Sequence, residues 1–229
     1  MPTRKFITAV ADLFRHPLRH WKCNVIVAVA LTAVIAGVWA GWECVLKDRL
    51  VPKRWGVVVP GEVYRSGMLH PDLWQPTLEQ YDIRIIVSLL GEEVGRPDQD
   101  AERRVAEALG IERIVLPMRG NGRGDVQRYA DAIETIVQAR RRQQPTLVHC
   151  AAGTNRTGAV VALYRVLIQR QSPGEAAAEM MKYRYNLQRN RQLLEYLNVS
   201  MDAVARELVQ RGVLQRVPEP LPQFPMETP

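Results

Sequence analysis

Residues 149–158 read HCAAGTNRTG. A single thiol, Cys150, follows a branched apolar run, and Arg156, Thr157 and Gly158 close the stretch. The residues between them, Ala151, Ala152, Gly153, Thr154 and Asn155, are small or neutral, so the backbone can curl round a tetrahedral oxyanion. A helix that starts at such a loop turns its unpaired N–H groups and the positive end of its dipole towards the anion. Arg156 adds a permanently charged planar fork that matches two phosphate oxygens. The same groups favour thiolate over thiol at Cys150. A thiolate beneath a phosphate cradle is a nucleophile aimed at phosphorus. The plain alternative, a cysteine serving as small apolar filler, leaves the rest of the stretch without a reason.

Such a loop needs a strand to deliver the cysteine and a helix to receive the arginine. Thr146-Leu147-Val148-His149 reads as the strand, and a helix is expected from about Thr157 to Gln169. Upstream, IRIIVSLL at 83–90 and IERIVLP at 111–117 read as buried strands. Val57 to Val59, a Pro-Gly turn and Glu62 to Arg65 form a hairpin-like pair. Helices are expected over Pro71 to Tyr81, over Asp98 to Leu109 with Gly110 as its stop, and over 126–142. Two more are expected near 173–184 and 189–211. The alternation predicts an α/β fold with a central, mostly parallel sheet flanked by helices. The end, VPEPLPQFPMETP, holds five prolines and is expected to be a disordered tail.

The 47% hydrophobic content is unevenly spread. CNVIVAVALTAVIAGVWAGW, residues 23–42, carries no charge and no polar stripe, which predicts one membrane-spanning helix over 23–43 rather than a core helix. A secretory signal cleaved near Val38-Trp39-Ala40 is the alternative. The basic flanks, Arg4, Lys5, Arg15, Arg19 and Lys22 before it and Lys47, Arg49, Lys53 and Arg54 after it, lean only slightly towards a domain outside the cytoplasm. This expectation divides the chain into a basic tail (1–22), the span (23–43), a linker (44–56), a catalytic domain (57–212) and a Pro-rich tail (213–229). Much of the net charge of +7 lies in those flanks and in Arg140, Arg141 and Arg142, and no nucleic-acid motif accompanies it, so no nucleic-acid partner is expected. Cys23 and Cys44 fall at opposite ends of the apolar run, too far apart for a disulfide, and Cys150 is left without a partner.

HCAAGTNRTG resembles the His-Cys, five-residue, Arg-Ser/Thr signature of cysteine-dependent protein tyrosine and dual-specificity phosphatases. YRSG at 64–67 and IIVSLLGE at 85–92 look like the small bacterial dual-specificity-like branch, over roughly residues 57–200. The resemblance implies that Cys150 attacks phosphorus to form phosphocysteine, that Arg156 binds the equatorial oxygens, and that Thr157 hydrogen-bonds the sulfur and helps it leave. His149 would order the loop. The general acid would be Asp125, which ends the loop RGNGRGD 25 positions before Cys150. No Trp-Pro-Asp sequence supports that choice, and capping of the following helix is its other reading. Asp131, a full turn inside that helix, is a poorer candidate. No metal or cofactor is implied. The expected substrate is a phosphotyrosine or phosphoserine/threonine protein, with a phosphoinositide or other phospholipid as the alternative. The neutral side chains of the loop argue against polyphosphate head groups. Arg119 and Arg123 stand either as a basic rim or as solvated loop charges. A phosphate-binding module without turnover would usually have lost Cys150 or Arg156. A rhodanese-like sulfurtransferase loop does not typically close with Arg-Thr-Gly.

Overall fold

The computed structural model describes residues 17–42, 47–124 and 126–227, in two units that part between Lys47 and Asp48. Asp125 therefore lies outside the described residues.

The first unit contains helix α1, Pro17–Gly41, with exposed Val25, Ile26, Leu31, Ile35 and Trp39 along it. Among the described residues no helix is long and apolar enough to cross a membrane. This overturns the expected span over 23–43 and with it the single-pass membrane localisation. The first turns of α1 instead carry Arg19, His20 and Lys22.

The second unit is built on a five-stranded sheet in the order β1-β2-β5-β3-β4. The strands are β1 Gly56–Val59, β2 Val63–Gly67, β3 Ile85–Ser88, β4 Glu112–Val115 and β5 Thr146–Cys150. Only the β1–β2 pair is antiparallel; β2–β5, β5–β3 and β3–β4 are parallel. The mostly parallel α/β architecture expected from the alternation is therefore present. Its main helices are α2 Trp74–Gln80, α3 Pro97–Ala108, α4 Val126–Arg141, α5 Asn155–Leu163, α6 Pro173–Lys182 and α7 Leu187–Gln210.

Because strand side chains alternate between faces, the sheet has two cores. Val63, Ile85, Val87, Val148 and Cys150 pack with α4, α5, α6 and α7. Tyr64, Ile86 and Leu147 face Trp74 and Leu78 of α2 and Ala101 and Ala106 of α3. His149, buried, also stands on this second side, edge-on to Trp74 at 5.3 Å between ring centres.

Two departures from expectation bear on the cysteine loop and the C-terminal end. The helix after the cysteine loop starts at Asn155, two residues early, because the Thr154 carbonyl already accepts the Gly158 N–H at 2.9 Å; it ends in a π-helical turn over Tyr164–Ile168. The Pro-rich end has no regular structure, yet it is not loose. Phe224 is buried, its N–H donates to Asn198 Oδ1 at 2.7 Å, and its carbonyl accepts from Asn198 Nδ2 at 3.0 Å. Val217, Leu221 and Met226 also pack on the first core. Proline prevents repetitive backbone bonding, but it does not prevent apolar side chains from docking.

Candidate active site

Cys150 is the last residue of β5, the middle strand, and its loop emerges at the carboxyl ends of the parallel strands. Crevices at such ends are where ligands of open α/β sheets bind. The neighbouring strands hold the loop from both sides. Met68 N–H, just past β2, donates to the Ala151 carbonyl at 3.2 Å, and Leu89 N–H, just past β3, donates to the His149 carbonyl at 2.9 Å.

Gly153 brings the loop close to the sheet. Its φ is +71°, and a Cβ there would lie 2.6 Å from Gly67 N and 2.8 Å from Ser66 C. Only glycine combines that left-handed backbone with that approach. The resulting curl points the Gly153 N–H at Cys150 Sγ, 3.2 Å away. Two carbonyls of the loop are taken up by arginines: Arg54 Nη1 donates to Ala152 O, and Arg65 Nη2 donates to Gly153 O at 2.7 Å.

Arg156, at the start of α5, is braced by its Nη1, which donates to Leu89 O at 3.0 Å and to Met118 O at 3.3 Å. Its Nε is buried and has no partner. A donor fixed in place and left unsatisfied is what an oxyanion seat requires. The Thr157 hydroxyl makes only a loose 3.5 Å contact with Ser66 O, which leaves its proton to the sulfur. Burial pushes the Cys150 thiol up. Hydrogen bonds from the Thr157 hydroxyl and N–H, the Arg156 charge and the Gly153 N–H outweigh it and hold the thiol below its ordinary value of 9.0.

The structure thus brings Cys150, Gly153, Arg156 and Thr157 together, with Ala151 half-buried and Ala152 exposed on the loop's outer turn. Thr154 Oγ1 donates to Tyr183 O at 3.4 Å, and Asn155 Oδ1 is buried without a partner. His149 points away from the sulfur; its Nε2 lies 3.4 Å from Glu102 Oε1 without an aligned hydrogen bond. Glu102 also accepts from Arg113 Nε at 2.7 Å. Burial pushes the Glu102 carboxyl up, but His149 and Arg113 outweigh that and hold it below its ordinary 4.5. The signal for Glu102 was its position on the apolar side of α3; for Arg65 it was only a charge within the hairpin-like run 62–65, and the fold alone buries it.

Beside the loop lies an open cleft of about 730 Å³, lined by Met118, Arg119, Asn121, Arg123, Arg128 and Tyr196 among others. Arg119 and Arg123 belong to this wall. Asp131, the poorer acid candidate, is engaged by Arg211 at 2.7 Å and Arg128 at 3.2 Å. Among the described residues no group of three or more His, Cys, Asp or Glu side chains could hold a metal ion.

Comparison with known proteins bears on the same loop. The dual specificity protein phosphatase TpbA of Pseudomonas aeruginosa is 41% identical over 107 residues, 46% of this chain and 44% of that protein. The dual specificity protein phosphatase OPG106 of vaccinia virus is 33% identical over 63 residues, 27% of this chain and 37% of that protein. The chain spans less than half the length of these curated relatives. Among solved structures, P. aeruginosa TpbA superposes with a TM-score of 0.55 at 21% identity, covering 70% of this chain and 91% of that one. The core catalytic domain of the PP-IP phosphatase SIW14 of S. cerevisiae gives 0.56 at 21% identity, covering 76% and 98%. At that identity the likeness is one of fold. Residues 49–209 match the tyrosine phosphatase family, and the chain belongs to it.

Proposed function

We propose that this protein hydrolyses phosphomonoesters through a phosphocysteine at Cys150, with phosphotyrosine or phosphoserine/threonine in proteins as its substrate. The observation that carries the reading is the Cys150 sulfur, faced by the Gly153 N–H at 3.2 Å and drawn towards thiolate by Thr157 and Arg156.

In the first step the thiolate attacks phosphorus, the S–P bond forms and the ester P–O bond breaks. The leaving oxygen takes a proton from the Asp125 carboxylic acid, the best-positioned acid in the sequence. Arg156 Nε and the loop N–H groups hold the non-bridging oxygens as charge redistributes over them. In the second step water attacks phosphorus and gives its proton to the Asp125 carboxylate. The S–P bond breaks, the Thr157 hydroxyl stabilises the departing thiolate, and inorganic phosphate leaves.

The neutral side chains of Ala151, Ala152, Thr154 and Asn155 favour a single phosphoryl group over a polyphosphate head group. The description of TpbA and OPG106 as dual specificity protein phosphatases supports a protein substrate. A module that only binds phosphate is disfavoured by the intact, convergent Cys150 and Arg156. The test is hydrolysis of p-nitrophenyl phosphate and of a phosphopeptide panel by the full chain. Turnover is expected without added metal, inhibited by vanadate and abolished in Cys150→Ser. Activity that survives Cys150→Ser refutes the proposal, and turnover confined to phosphoinositide vesicles transfers the substrate to lipids.

A further inference from the structure

Arg65 is fully buried in β2, and the two steps above make no use of it. Its Nη2 donates to the Gly153 carbonyl at 2.7 Å, and its guanidinium carbon sits 3.9 Å from the centre of the Tyr183 ring. A Cβ built on Gly158, in the first turn of α5, would stand 3.9 Å from the same Nη2. The guanidinium therefore fills the space between the cysteine loop, the start of α5 and Tyr183.

Its charge is not matched in the usual way. Nε and Nη1 have no hydrogen-bond partner, and no carboxylate of the described residues forms an ion pair with it. Glu179, the carboxylate whose field reaches it most strongly, is bonded to Arg165 at 2.7 Å. Burial pulls the Arg65 guanidinium down to about 10, with Arg165 adding to that pull; Glu179, Tyr183 and Cys150 oppose it. A buried arginine with a purely architectural role is normally paired, because an uncompensated buried charge is costly. Here the nearby group that gains a negative charge is Cys150.

We propose that Arg65 is a positioning residue for the nucleophile: it holds the Gly153 carbonyl turned towards β2 so that the Gly153 N–H faces Cys150 Sγ, and it supplies a buried positive charge that the thiolate and the bound phosphoryl group complete. The proposal rests on the reading of Cys150 as the nucleophile. A hydrogen bond to that carbonyl also polarises its own peptide unit, strengthening the Thr154 N–H as a donor. Tyr183, whose ring lies beneath the guanidinium carbon at 3.9 Å, keeps it in place by a cation–π contact.

The test uses the full chain with Cys23→Ser and Cys44→Ser, so that iodoacetamide reports Cys150 alone. The pH profile of alkylation reads thiol acidity without any turnover. Arg65→Met keeps the approximate volume and removes the charge. Its thiol is expected to titrate at least one pH unit higher than the parent's, a tenfold smaller thiolate fraction at a pH below both values. Its kcat on p-nitrophenyl phosphate is expected to fall at least tenfold while KM changes less than threefold. Arg65→Lys, which keeps charge without the fork, is expected to recover at least half of the thiol shift. A folded Arg65→Met with the parent's thiol titration overturns the proposal, as does an Arg65→Lys no better than Arg65→Met. If Arg65→Met gives no cooperative melt, Tyr183→Leu replaces it, with an upward shift of about half a unit expected and an unchanged titration overturning the proposal. A parent protein with an acidic Cys150 but no phosphomonoester turnover sinks the phosphatase reading alone, and leaves the thiol comparison standing.

Discussion

Gly153→Ala probes how closely the phosphate loop is fitted to the sheet. The new Cβ would meet Gly67 N at 2.6 Å, Ser66 C at 2.8 Å and Ser66 O at 2.9 Å, against an ordinary contact of 3.4 Å or more. All three neighbours are backbone of β2, which is bonded to β5 along its length, so they cannot swing aside as a side chain would. The loop itself must retreat by about 0.8 Å (3.4 minus 2.6). Alanine at φ +71° adds roughly 1–2 kcal/mol of left-handed backbone strain, and the overpacking adds a similar amount. The sum, about 2–4 kcal/mol, lowers Tm by roughly 5–15 °C for a domain of this size. The same retreat pulls the Gly153 N–H off the sulfur it faces at 3.2 Å and tilts the oxyanion seat. A displacement near 1 Å at the reacting centre costs about 100-fold in rate. Thermal melts and kcat/KM on p-nitrophenyl phosphate read the two effects separately. An alanine variant with the parent's Tm and kcat/KM would refute the argument that the left-handed turn and its approach to β2 shape the site.

Two further outcomes follow from buried contacts outside the loop. Glu102 has its carboxyl held below its ordinary value of 4.5 by His149 and Arg113, against the upward push of burial. A depressed folded-state value means that this contribution to stability is complete above about pH 5 and is lost as pH falls through the folded value. Glu102→Gln is expected to cost about 3 kcal/mol at neutral pH and to flatten the loss of Tm between about pH 5 and pH 3; melts of both proteins across that range check it, and parallel curves would count against the contact. Phe224→Ala is expected to cost about 3–5 kcal/mol, because the ring is buried and its backbone is clamped by Asn198. A change under about 0.5 kcal/mol in urea unfolding would mean that the C-terminal segment contributes nothing to the fold.

What could be read along the chain was what depends on neighbours along the chain. The order Cys150, small residues, Arg156, Thr157 defines a strand end, an anion-cradling turn and a helix start, because each piece is set by residues within a few positions of it. The β3, β4 and β5 runs and the stop at Gly110, whose φ is +64°, were legible for the same reason. The proline content of the last residues forecast the absence of regular structure but not the docking of Phe224, since burial depends on a groove that α7 supplies. The uncharged run before residue 43 was legible as apolar composition, but composition alone does not make a span: among the described residues no helix is long and apolar enough to cross a membrane.

The support of the site belongs to tertiary structure. The sheet order places β5 between β2 and β3, strands that precede it by dozens of residues, and so brings Arg65 under Gly153, Glu102 beside His149, and the Leu89 and Met118 carbonyls onto Arg156. No local pattern encodes those meetings. They exist because a parallel sheet gathers the ends of distant strands at one edge, where a charge buried in one strand can act on a thiol delivered by another.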